Sequence, residues 1–133
     1  MCDSDRLPSS MSLNSAQAQT ILVVDDMPEI RELISCCCVP RGFRVFEASN
    51  GVEAMKVLQQ EKVEIMLTDI VMPEQEGLET LMSAKNAYPN LKIIVMSGHD
   101  NYLQMARRLG ADQILFKPFK MDHLFSALAA VTA

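Results

Sequence analysis

No apolar run in the sequence approaches the ~18 residues that a membrane-spanning helix requires. The opening residues, MCDSDRLPSS, lack both the basic region and the apolar stretch of a secretion signal, so the chain reads as cytoplasmic. Basic charge is also short. Twelve Lys and Arg against 17 Asp and Glu leave a formal net charge of -5, which argues against a phosphate-backbone binder with its usual basic patch. Direct nucleic-acid binding is therefore disfavoured. Cysteines spaced to staple a secreted domain are missing, because three of the four, Cys36, Cys37 and Cys38, are consecutive. Adjacent helical residues point in different directions, and no second Cys pair or His pair stands at ligand spacing. The three thiols thus read as small apolar core residues, not as a redox or metal site.

What is present suits one compact domain: 133 residues, 49% of them hydrophobic, leave no room for a second folded unit. Residues 1–19 are polar, rich in Ser and Gln and without apolar period, which predicts a flexible tail ahead of a domain spanning 20–133. From there, β-rich apolar runs alternate with helical patterns. TILVV, FRVFEA, EIMLTD, LKIIVMS and DQILF are the strand candidates. The first helix is expected to start at Pro28, favoured in a first turn, and to end before Pro40 and Gly42, with Ile30, Leu33, Ile34, Cys37 and Cys38 on one face. A second follows Asn50-Gly51 and carries Val52, Met55 and Leu58. The third carries Leu78, Leu81 and Met82 and stops at Pro89. A short fourth runs from Asn101 to Leu109 with Gly110 closing it, and the last places Leu124, Phe125 and Leu128 on one stripe. The ten methionines are expected mainly in the core, as Met66, Met72, Met82 and Met96 lie in apolar runs.

Strands joined by helices lie parallel, because each crossover returns the chain to the same edge, and such crossovers are right-handed. The expected fold class is therefore α/β, a doubly wound open sheet whose ligands bind beyond the carboxyl ends of the strands. Those ends carry the chemistry. Asp25-Asp26 follows the first strand, Asp69 the third, Ser97-Gly98 the fourth and Lys117-Pro118 the fifth. Three gathered carboxylates repel by about 4 kcal/mol per pair at about 4 Å and an effective dielectric near 20, so a positive group is needed among them. Lys117 is one. A divalent cation is the other, and all-oxygen donors favour hard Mg²⁺. Carboxylates, a metal, a lysine and a hydroxyl suit phosphoryl transfer, with Asp69, alone at the central strand end, as the natural nucleophile. Singly, each feature has a bland reading: Asp25-Asp26 as a helix cap, Asp69 or Ser97-Gly98 as a turn, Lys117-Pro118-Phe119 as a surface loop. The bland readings do not account for all of them in this order and spacing.

VVDDMPEIRELI, MLTDIVMPEQEG, IIVMSGHD and GADQILFKPF resemble the receiver domain of two-component response regulators, over about residues 20–131. The resemblance implies a flavodoxin-like (βα)5 fold with five parallel strands in order 2-1-3-4-5. It further implies that Asp69 accepts a phosphoryl group from a phosphohistidine on a sensor histidine kinase or histidine phosphotransfer protein. By the same resemblance, Asp26 is a direct Mg²⁺ ligand, Asp25 acts largely through water, and the backbone carbonyl of Val71 completes the protein ligands. Ser97 stands at the switch hydroxyl and Lys117 at the position that pairs with Asp69 or its phosphoryl group. Pro118 would follow a cis peptide, an option open to X-Pro bonds. The face made by the fourth helix, fifth strand and fifth helix is the implied docking surface for a downstream protein, with Tyr102, Arg107 and Arg108 as contacts. Those residues and His123 are otherwise read as a solvated face.

The sequence also departs from the family pattern. Ile114, three residues before Lys117, occupies a position where the family often has an aromatic ring that turns inward on activation. Either switching works through Ser97 and backbone shifts, or signalling differs. An apolar Val71 cannot orient an attacking water, which predicts slow self-dephosphorylation, and His99 reads as a solvated loop residue in preference to a tuning one. The expected protein is a stand-alone receiver, a switch and not an enzyme acting on external substrates. An Mg²⁺-dependent phosphohydrolase lacks the DxD spacing and lid expected of it, and an inactive pseudo-receiver is disfavoured by the full set of site residues. Whether an output domain follows AAVTA is left open.

Overall fold

The computed structural model describes residues 19–70 and 74–132. Among the described residues five strands and five helices alternate: β1 (Thr20–Val24), α1 (Pro28–Cys38), β2 (Arg44–Ala48), α2 (Gly51–Gln60), β3 (Ile65–Asp69), α3 (Glu74–Ala87), β4 (Lys92–Ser97), α4 (Asp100–Arg108), β5 (Gln113–Phe116) and α5 (Met121–Thr132). The strands form one sheet in the order β2-β1-β3-β4-β5. This is the doubly wound sheet expected from the βα alternation, in the flavodoxin-like order that the family resemblance implies. The described residues divide into two compact units, one on each side of the boundary between Glu64 and Ile65.

In the first unit, β1 and β2 pair in parallel, with Thr20 opposite Arg44 and Val24 opposite Ala48. All five residues of β1 are buried, as a strand covered on both faces requires. Ile34 and Cys38 of α1 and Ala54 and Leu58 of α2 supply the buried helical positions. Both pairs are spaced four apart, so the core-facing stripe is narrower than the sequence pattern suggested. Leu33, turned about 100° from buried Ile34, and Val52, turned about 200° from buried Ala54, are 50% and 66% exposed. Of the three consecutive cysteines Cys38 is buried, Cys37 half-buried and Cys36 exposed, which corrects the reading of all three as core. α1 ends at Cys38, before Pro40 as expected, and the chain continues in a 3-10 turn over Val39–Arg41, ended by Gly42 at φ 97. At the start of α2, Asn50 Oδ1 accepts from the Glu53 amide at 2.9 Å, and Glu53 Oε1 accepts from the Ser49 amide at 2.8 Å. These reciprocal bonds satisfy amides that a helix start leaves over.

In the second unit β3, β4 and β5 pair in parallel, Asp69 lying opposite Met96 and Ser97 opposite Phe116. Ile65, Met66, Leu67, Ile93, Ile94 and Met96 are fully buried. Leu81, Leu103 and Leu124 cover this core from α3, α4 and α5. Met82 does not join them: it is 49% exposed on the outer side of α3, one residue round from Leu81. At the end of the sheet away from the strand carboxyl termini, Asp112 Oδ2 accepts from Lys85 Nζ and from the Ile93 amide, both at 2.8 Å. Lys85 Nζ also donates to the Leu91 carbonyl at 2.8 Å, so one ion pair ties α3, β4 and the start of β5 together. Gly110 closes α4 at φ 116, a conformation that favours glycine, as expected.

The expected tail lies outside the described residues, apart from Gln19, as do Val71 and Met72. Among the described residues no helix is long and apolar enough to cross a membrane.

Candidate functional site

The end of β1 presents its two carboxylates very differently. Asp25 is buried, at 2% exposure, and Asp26 is exposed. Asp25 continues the β ladder, its amide donating to the Ala48 carbonyl at 3.1 Å. Its Oδ1 accepts from the Met27 amide at 2.9 Å, closing a small side-chain turn. Neither aspartate caps α1, since the residue before that helix is Met27 and no side chain caps it. The capping reading of the pair is thereby set aside. Arg31, four residues into the helix and not singled out in the sequence, donates Nη1 to the Asp25 carbonyl at 2.6 Å and Nε to Glu47 at 3.2 Å. Nothing in the local pattern marks Arg31, because its partners lie on β1 and β2, and only folding brings them together.

In the second unit the remaining expected residues converge at one sheet edge. Asp69 ends β3, and the amide of the next residue, Ile70, donates to the Met96 carbonyl at 2.9 Å. Lys117 follows β5, its amide held by the Ser97 carbonyl at 2.8 Å, and its ammonium lies 3.1 Å from Asp69 Oδ1. The Asp69 side chain is only 8% exposed and that of Lys117 24% exposed, so the ion pair is largely withdrawn from water. Ser97 is fully buried, and its hydroxyl accepts from the His99 amide at 3.0 Å. The Lys117-Pro118 bond is cis, as anticipated.

Asp25, Asp26 and Asp69 each offer a carboxylate oxygen to one acidic cluster. Such an acidic cluster is compatible with a metal ion, and hard oxygen donors of this kind suit hard divalent cations. Gly77 is a second residue that sequence reasoning passed over. A Cβ there would stand 3.2 Å from Ile70 Cα and from Ile70 Cγ2, so glycine lets α3 approach the backbone next to Asp69. A glycine inside a helical pattern was the available signal.

A family model for the response regulator receiver domain matches residues 21–129. The chain belongs to the response-regulator receiver family. Its similarity to individual receivers agrees. Sporulation initiation phosphotransferase F of Bacillus subtilis is 31% identical over 112 residues, 83% of this chain and 90% of that protein. Chemotaxis protein CheY of Listeria monocytogenes is 36% identical over 111 residues, 81% of this chain and 93% of that protein. Other relatives are longer: the chain spans 25% of the Escherichia coli transcriptional regulatory protein GlrR, at 28% identity and 81% coverage of this chain. Among solved structures, response regulator protein TrrA from Thermotoga maritima, in complex with Mg²⁺-BeF, superposes with a TM-score of 0.76 at 31% identity, covering 85% of this chain and 98% of that one. As a receiver, the protein is a phosphotransfer signalling switch and not an enzyme with an external substrate.

Other residues flagged in the sequence sit on the surface of this receiver. Arg107 and Arg108 end α4, where a helix carboxyl terminus favours positive charge, and both are exposed. His123 is exposed on α5. Tyr102 is half-buried in the first turn of α4 and meets the exposed His99 edge to face, ring centroids 5.2 Å apart. Ile114 is half-buried in β5, and Phe116, two residues on, is 55% exposed.

Proposed function

We propose that Asp69 is the phosphoacceptor of this receiver and that the phosphoryl group comes from a phosphohistidine on a sensor histidine kinase or histidine phosphotransfer protein. The ion pair that holds Lys117 on a nearly buried Asp69, beside the carboxylates of Asp25 and Asp26, is the observation that carries this reading. In the transfer, an Asp69 carboxylate oxygen forms a bond to phosphorus as the phosphorus–nitrogen bond breaks. An acyl phosphate forms, and the departing imidazole nitrogen regains a lone pair. Lys117 orients Asp69 beforehand and neutralises oxygen charge as the group arrives, while the Ser97 hydroxyl donates to one phosphoryl oxygen.

The donor chemistry of the cluster fits Mg²⁺, which is proposed as the resident cation, with Asp26 and Asp69 as direct ligands and Asp25 acting through water. The Val71 carbonyl is proposed as a further ligand, from the family resemblance. When bound, the cation supplies charge neutralisation at the phosphoryl oxygens. The Mg²⁺-BeF named for the Thermotoga maritima relative supports the same chemistry here. Residues 20–133 are proposed as the receiver domain, with residues 1–19 a tail outside it. The proposed setting is the cytoplasm, which the consecutive cysteines support. The surface made by α4, β5 and α5 is the proposed output face. Its exposed Phe116, which borders a groove of about 410 Å³ with Phe119 and His123, supports that assignment.

Phosphotransfer profiling against candidate kinases, with Mg²⁺ titrated and Asp69→Ala as control, tests the reading. Label is expected on the parent, dependent on Mg²⁺, and absent from the variant. Label persisting on Asp69→Ala would remove Asp69 from its role.

A further inference from the structure

We infer that Arg31 is a positioning residue for the cation site: its guanidinium fixes the Asp25–Asp26 peptide in the orientation from which the two carboxylates serve Mg²⁺. The inference rests on the Mg²⁺ reading of these aspartates and uses residues of the first unit alone.

Two adjacent carboxylates at a strand end repel each other, so the loop that carries them has to be held by other groups. Hydrogen bonds to its backbone and side chain do this. The Asp25 amide donates to the Ala48 carbonyl at 3.1 Å, and Asp25 Oδ1 accepts from the Met27 amide at 2.9 Å. Arg31 adds a bond from Nη1 to the Asp25 carbonyl at 2.6 Å. That carbonyl and the Asp26 amide belong to one planar peptide unit, so the bond also fixes where the Asp26 side chain leaves the backbone. The Arg31 amide in turn donates to the Met27 carbonyl at 3.2 Å. With its backbone on Met27 and its side chain on Asp25, Arg31 closes a ring of hydrogen bonds around residues 25–27.

The guanidinium is itself held. Nε donates to Glu47 Oε1 at 3.2 Å, and Glu47 Oε2 accepts from the Ser35 hydroxyl at 3.0 Å. Ser35 stands one turn after Arg31 on α1, and Glu47 precedes Ala48 on β2, so this bracket joins helix and strand. The Arg31 side chain is only 17% exposed. A planar fork with fixed donor directions suits such a double attachment, whereas an ammonium is a single point of charge. Pairing with Glu47 also offsets the guanidinium charge, so Arg31 opposes a cation weakly while it fixes the loop. Geometry and charge therefore predict opposite signs for its removal. A site that loses its bracket binds Mg²⁺ more weakly; a site that loses only a nearby positive charge binds it more tightly.

Mg²⁺ is titrated into the full chain, with the amide NMR shifts of Asp25, Asp26 and Met27 as the readout and urea unfolding in chelator as the measure of stability. Loss of a group that orients a metal ligand typically lowers affinity about 10–100-fold, and a loss of about tenfold is expected for Arg31→Ala. Arg31→Lys keeps the charge and gives up the fork, and should lose more than about threefold. In both variants the Met27 amide should exchange with solvent faster than in the metal-free parent. Leu58→Ala, a truncation on the buried face of α2, lowers stability without touching the bracket and should leave affinity within about twofold of the parent. Affinity within about threefold of the parent, or tighter, in either Arg31 variant overturns the inference and leaves the Mg²⁺ reading standing, as does an equal loss in Leu58→Ala. Absence of Mg²⁺ binding by the parent overturns that reading, and the inference with it.

Discussion

Replacing Lys117 by alanine removes a cation that lies 3.1 Å from Asp69 Oδ1. At that distance and an effective dielectric near 20, the attraction is about 5 kcal/mol. Withdrawing both groups from water opposes it, and the residual 24% exposure of the Lys117 side chain weakens it further. We expect a net stability loss of about 1–3 kcal/mol in the metal-free protein, because Asp69 is left nearly buried without this partner. Phosphoryl uptake should fall more steeply, since loss of one charged donor at a reacting oxygen typically costs ~3–4 kcal/mol, or about 10²–10³ in rate. Mg²⁺ affinity should move the other way, because Lys117 competes with the cation for Asp69. Urea unfolding in chelator, Mg²⁺ titration and the initial rate of labelling separate the three effects. A variant that takes up phosphate within threefold of the parent, or binds Mg²⁺ more weakly, would refute the assignment of Lys117 as counter-charge.

Four further outcomes follow from local geometry. Asp112→Ala deprives the buried Ile93 amide of its acceptor and Lys85 of its ion pair, and should cost about 2–4 kcal/mol in urea unfolding; a loss under about 0.5 kcal/mol would contradict this. Gly77→Ala ordinarily gains about 1 kcal/mol in a helix interior, but its Cβ would stand 3.2 Å from the Ile70 backbone, so a lowered Tm is expected and a raised one would show that Ile70 yields. In a Cys2→Ser background, thiol titration should find Cys36 reacting first and Cys38 only on unfolding, because burial, and then neighbouring Cys37, push the Cys38 thiol up to about 12. Glu53 is held below its ordinary 4.5 first by the Ser49 amide and then by the Ser49 hydroxyl. A carboxylate with a lowered folded-state value stabilises above the unfolded value and loses that contribution as pH falls through the folded one. The stability difference between the parent and Glu53→Gln should therefore be present at neutral pH and vanish well below 4.5.

The order of elements was legible because each strand is a short apolar run and each helix repeats its apolar residues three or four apart. Element bounds followed within a residue or two, and the carboxyl ends of β1, β3, β4 and β5 carry the residues expected there. Which apolar residues face inward was less legible. Leu33, Val52 and Met82 fit the helical period, but Leu33 and Met82 lie beside Ile34 and Leu81 at the edge of the buried stripe and Val52 lies across the helix from Ala54, and only packing fixes where the stripe falls. The three cysteines show the same thing at single-residue resolution, one buried, one half-buried and one exposed.

By itself, the sequence determined that this chain builds a parallel α/β sheet with carboxylates, a hydroxyl and a lysine at its strand ends, because period and strand-end chemistry are local properties. Tertiary structure alone decided how those groups are shared out. It buried Asp25 while exposing Asp26, drew Arg31 onto the Asp25 carbonyl, seated Lys117 on Asp69 and tied the Ser97 hydroxyl to His99. Each of these depends on strands and loops far apart in the chain meeting at a few ångströms, and no local pattern encodes that meeting.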